Sequence, residues 1–136
     1  MATYIALEDG RILGTSDGVF DALIECAAKE LERRPDVVDG LLEWLLNQRC
    51  GVQGFGVGYL DLRELSPRAS SQFKSACISA YSVMGRAPNP VPWLDRFSLL
   101  IDMWASIDKG EPPEALTSPH WLMSPWSGDR RGPGWE

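Results

Sequence analysis

The chain has a single histidine, His120, and three scattered cysteines, Cys26, Cys50 and Cys77, in 136 residues. That scarcity gives none of the ligand spacings a zinc site requires, and no cofactor is expected. No two cysteines form a C-x-x-C pair and their number is odd, so a complete disulfide framework is excluded. Cys26 and Cys77 fall on apolar helical patterns, where buried free thiols are common. This predicts a reducing, cytoplasmic setting. The opening MATYIALEDG has no basic stretch leading into an apolar one, so no export signal is expected. No uninterrupted apolar run reaches the roughly 18 residues of a membrane span. Base is short as well, with 13 Lys plus Arg against 19 Asp plus Glu and a formal charge of −6. Binding to nucleic acid or to an anionic membrane requires clustered Lys and Arg, so neither is expected. The same imbalance favours electrostatic steering toward a basic partner.

Recognisable chemistry is equally sparse. Gly54-x-Gly56-x-Gly58 has the wrong spacing for a dinucleotide fingerprint, precedes a strand instead of following one, and has no Lys-Ser/Thr after it. It reads as a flexible or bulged strand entry. Cys50 lies between a helix and a glycine, but a cysteine nucleophile needs a base, and only His120 in the irregular C-terminal stretch is available. Carboxylate pairs such as Asp61 and Glu64 have no distinctive spacing for acid–base work. The chain is therefore expected not to be an enzyme.

The organisation is that of one domain, residues 1–116, followed by an irregular Trp/Pro/Gly-rich tail, 117–136. Thr3 to Glu8 reads as a strand, and Asp9-Gly10 predicts a type I′ hairpin turn returning through Arg11 to Gly14. Ser16 or Asp17 caps a helix running to about Arg34, with Phe20, Leu23, Ile24, Ala27 and Leu31 on its apolar face. Pro35 interrupts it, and Asp36 is placed to cap a second helix from Val37 to about Gln48. That helix is apolar almost all round, with Gly40 expected to serve close packing. A strand is expected from about 55 to 62. Ser66-Pro67 then opens a third helix, with Ser as cap and Pro at the first helical position, ending at Gly85. A fourth runs from about Pro92 to Asp108 with Trp93, Phe97, Leu100, Ile101 and Trp104 on its apolar face and Asp95, Asp102 and Ser106 opposite. The predicted fold is thus α+β and helix-dominated, with a small antiparallel sheet on about four helices.

Residues 1–50 hold ten acids and five bases, so most of the excess acid lies in the first third of the chain. Asp21, Glu25 and Glu32 form one stripe, and Asp36, Asp39 and Glu43 another. Solubility explains such stripes, as does a surface facing a basic cleft on a partner, where charge pairing raises association rates. These six residues, with Asp95, Asp102 and the tail aromatic Trp126, are the candidate partner-binding residues. Arg130-Arg131 is too small a basic spot for nucleic acid.

The segment 58–81, GYLDLRELSPRASSQFKSACISAY, resembles a pattern in small bacterial immunity proteins. In that pattern an L-D-L/I-R-E-L strand end leads through Ser/Thr-Pro into a helix with a central aromatic, here Phe73. Such proteins accompany contact-dependent-inhibition and related polymorphic toxins. The resemblance implies cytoplasmic neutralisation of one cognate toxin, by covering its active site or a nearby surface. It implies no particular binding residues. The acidity and the missing catalytic set make a non-catalytic inhibitor of a nuclease the expectation, because a nuclease's basic substrate cleft suits an acidic protein. From a different class, a small adaptor docking its partner through the Trp-rich tail is the alternative.

Overall fold

The computed structural model describes residues 3–49, 59–89 and 91–110. Strands β1 (Thr3–Ala6) and β2 (Ile12–Thr15) are followed by helices α1 (Asp17–Glu32) and α2 (Leu41–Leu46). Strand β3 (Tyr59–Asp61) then leads through a 3-10 turn, Leu62–Glu64, into α3 (Pro67–Gly85) and α4 (Leu94–Asp108). The result is the expected helix-dominated α+β fold with a three-stranded sheet in the order β2-β1-β3.

That sheet is mixed, which corrects the antiparallel expectation. β2 returns antiparallel beside β1, whereas β3 lies parallel to β1 with Ile5 opposite Leu60. A parallel neighbour needs a long crossover, and here α1 and α2 lie within it. The hairpin turn also differs. Within this turn only Gly10 has positive φ (92°), and Leu7 N donates to Arg11 O at 2.8 Å while Gly10 N donates to Leu7 O at 3.0 Å. This is a three-residue loop with glycine in the left-handed position, not the two-residue type I′ turn.

The helix starts follow local capping chemistry. Ser16 Oγ accepts from Val19 N at 3.3 Å, and Ser66 Oγ accepts from Ala69 N at 3.2 Å with Pro67 at the first helical position. Gly85 remains helical and Arg86 takes the C-cap, so Gly85 is not a left-handed terminator. The largest departure is α2, which is six residues long and not twelve. Residues 34–40 form a turn, Asp36 caps nothing, and only Leu41 and Leu45 of α2 are fully buried.

α1 packs on α3, α2 and β1, and α3 packs on α4. Phe20, Leu23, Ile24, Ala27 and Leu31 meet Phe73, Ala76, Cys77 and Ala80 in one core, which Phe97, Leu100 and Trp104 continue. Phe73 and Trp104 meet edge to face with ring centres 6.1 Å apart. One assignment to the solvent side of α4 is wrong. Ser106 is buried and accepts at 2.9 Å from Nη1 of Arg11, itself 2% exposed. Arg11 Nε also donates to Asp9 Oδ2 at 2.6 Å, so the hairpin turn is tied to the last helix.

Candidate functional site

The turn between α1 and α2 shapes the surface that gathers most acid. Its backbone is held by one polar stripe of α3. Gln72 Nε2 donates to Asp36 O at 2.7 Å while its Oε1 accepts from Val38 N at 2.8 Å. Arg68 adds a 3.2 Å bond to Asp36 O. Arg34 crosses to Ser75 Oγ and Ser79 Oγ, each at 3.0 Å. Residues 68, 72, 75 and 79 recur at helical spacing, so one face of α3 fastens the whole turn. Gly40, at φ 82° and ψ −8°, then lets the chain enter α2 directly. A Cβ there would meet nothing within 4 Å, so backbone conformation is what calls for glycine, not close packing.

This geometry encloses a hollow of about 410 Å³. Half-buried Val37 and Leu42 supply most of its apolar surface over buried Leu31 and Val38, and Glu32, Asp39 and Glu43 supply its acid. The three carboxylates are on exposed residues and have no hydrogen-bond or ion-pair partner among the described residues. Arg34 also lines the hollow, but its guanidinium is engaged with the two α3 serines. The site therefore offers unpaired negative charge beside apolar surface. That suits a cationic side chain with a long aliphatic stem, such as arginine or lysine.

The other candidates are dispersed. Asp36 is exposed beside the hollow and contributes its carbonyl to the α3 clamp. Glu25 is 3.3 Å from Arg49 in an ion pair, and Asp21 is half-buried on α1 with an interaction of its own. Asp95 and Asp102 are exposed on α4, away from the residues lining the hollow. Trp126, His120, Cys50, the tail and the first part of the predicted 55–62 strand lie outside the described residues. Asp61 and Glu64 do not make an acid–base pair facing solvent. Asp61 is 1% exposed and accepts from Arg63 N, Nε and Nη2, each at 3.0 Å, so it staples the 3-10 turn.

Sequence reasoning missed a second concavity, about 580 Å³, between the hairpin turn, the 3-10 turn, the start of α3 and the end of α4. Its lining includes Leu62, Leu65, Pro67 and Ile107 with Glu8, Arg63, Ser70 and Lys74. Only its two ends were within reach of a local reading, since it joins residues about a hundred positions apart. Burial pushes the thiols of Cys77 and Cys26 up from their ordinary value of 9.0, and at Cys26 the positive charge of Lys29 partly opposes this. Neither is an activated nucleophile. Among the described residues no three metal-ligating side chains come together, and no helix is long and apolar enough to cross a membrane.

No family model matches the chain, and no curated protein or solved structure does so.

Proposed function

We propose that this protein is a non-catalytic binder that neutralises a basic protein domain, and that the hollow at the α1–α2 corner receives basic side chains of that partner. The resemblance of residues 58–81 to immunity proteins makes a cognate bacterial toxin domain the leading partner. A nuclease fits best, because its substrate cleft is basic. Neutralisation works by occlusion, in the cytoplasm where such a toxin would act. The observation carrying this reading is the grouping of Glu32, Asp39 and Glu43, without partners among the described residues, beside an apolar surface. Charges bring the two molecules together, while apolar contact made after docking slows their separation.

The test begins with a search for a large secreted-toxin gene immediately upstream and uses the C-terminal domain that such a gene encodes; absence of such a gene counts against the toxin assignment. Association is followed at several salt concentrations for the wild type and for Glu32→Gln/Asp39→Asn/Glu43→Gln. The triple variant should associate roughly tenfold more slowly at low salt and lose most of the salt dependence. An unchanged rate and salt slope would remove the hollow from the interface. Failure of the wild type to bind or neutralise that domain would remove the toxin assignment itself.

A further inference from the structure

We infer that the cleft between the 3-10 turn, α3 and α4 is the docking site of this chain's own C-terminal segment, centred on residues 118–126 (SPHWLMSPW).

Ile107 and Asp108 form part of the cleft wall, and the described residues stop at Gly110. Twenty-six further residues follow. Seven residues separate Gly110 from Ser118, and a trans chain spans at most about 3.3–3.6 Å per residue. A connector of that length is enough to turn back into a cleft that starts two residues earlier.

Charge selects the occupant. The polar side chains around the cleft are largely satisfied by one another. Ser70 Oγ donates to Glu8 at 2.7 Å, Lys74 lies 3.8 Å from Asp108, and Arg63 is held by Asp61. A strongly charged partner therefore gains little here, in contrast to the α1–α2 hollow. An uncharged apolar segment fits, and residues 115–128 contain no Asp, Glu, Lys or Arg. Within them, Trp121, Leu122, Met123 and Trp126 supply apolar surface against exposed Pro67 and half-buried Ile107, over a floor formed by buried Leu62 and Leu65. Pro119 and Pro125 restrict the backbone around them, which lowers the entropy lost when the segment seats in a groove. The tether gives an effective concentration in the millimolar range, far above that of a second copy in dilute solution.

The inference goes beyond the proposed partner and is tested separately, on the full chain. Indole resonances are assigned with Trp121→Phe and Trp126→Phe. Nuclear Overhauser contacts are then sought between the indoles and the methyls of Leu62, Leu65 and Ile107. Contacts from Trp121 or Trp126 are expected. They should vanish in Ser71→Trp, which fills the cleft from an exposed position, and persist in Ser71→Ala, with the Val38 and Leu41 methyls unmoved in both. A folded wild-type chain without these contacts overturns the inference. So do contacts seen only between labelled and unlabelled chains, which would put the segment on a second copy. Neither outcome alters the charge test at the α1–α2 hollow.

Discussion

Replacing Gly40 with alanine isolates one energetic term, because the site has space and the backbone alone resists. Gly40 has φ 82°, in the left-handed region, and a new Cβ would have no neighbour within 4 Å. Holding an alanine there costs about 1–2 kcal/mol. The loss of freedom in the unfolded chain offsets about 0.4–1 kcal/mol of that, leaving a net loss of about 1 kcal/mol. With a urea slope of about 1–3 kcal/mol/M, the midpoint should fall by about 0.3–1 M. Gly18 is the control. It too would find nothing within 4 Å of a Cβ, but it lies in the helical conformation of α1. Gly18→Ala should therefore raise stability, by up to about 1 kcal/mol. Gly40→Asn should fall between wild type and Gly40→Ala, since asparagine tolerates the left-handed region better. Equilibrium urea denaturation of the three variants measures all of this. A Gly40→Ala protein as stable as wild type, or alanine effects of the same sign at both positions, would refute the account of this turn.

Ser106→Ala removes the buried acceptor of Arg11 Nη1 and should cost about 1.5–3 kcal/mol in denaturation, the range for hydrogen bonds to charged groups. A loss below about 0.5 kcal/mol would mean that the Ser106 bond contributes little to holding Arg11. Burial of Cys77 predicts a pH effect of definite sign. Its folded thiol titrates above the unfolded value of 9.0, so the stabilisation is complete below pH 9 and declines as pH rises beyond it. The decline reaches at most about 1.4 kcal/mol per pH unit from this group. Urea titrations between pH 8 and 10.5 should therefore show a flatter fall for Cys77→Ala than for wild type, whatever its stability at neutral pH. Parallel curves would contradict the assignment.

The parts of this fold legible in the sequence are those decided within a few residues. Ser16 and Ser66-Pro67 start helices because cap and first turn are adjacent in the chain, and Phe20 through Leu31 repeat at helical spacing. Asp9-Gly10 marked a turn, but the residue count that separates two loop types depends on where the strands pair. The parallel placement of β3 and the Arg11–Ser106 bond depend on residues far apart, which no local pattern encodes. The shortened α2 is the instructive error. Asp36 looks like a helix cap and Val37 to Gln48 is apolar enough, yet Gln72 and Arg68 claim the backbone around Asp36, and Gly40 adopts a conformation helices exclude. The acids of the candidate site were legible as acids. Their grouping was not, because it depends on that turn.

The same turn bears on whether the acid serves binding or only solubility. Solubility requires charge at the surface and places no demand on the shape beneath it. At the α1–α2 corner, Glu32 comes from the end of α1, Asp39 from the turn and Glu43 from α2, and they converge beside Leu31, Val37, Val38 and Leu42. Four side chains of α3 and one left-handed glycine hold that arrangement. Exposed Asp95 and Asp102 on α4 serve as the internal comparison, being acids that line neither concavity. If charge alone matters, Asp95→Asn/Asp102→Asn should slow association with a basic partner about as much per charge as neutralising Glu32 and Glu43. If the shaped hollow matters, the α4 pair should change the rate only through the weaker long-range field, and should leave the dissociation rate untouched. Stopped-flow association and dissociation rates of the two double variants separate these cases, and equal effects on both rates would return the hollow to ordinary surface.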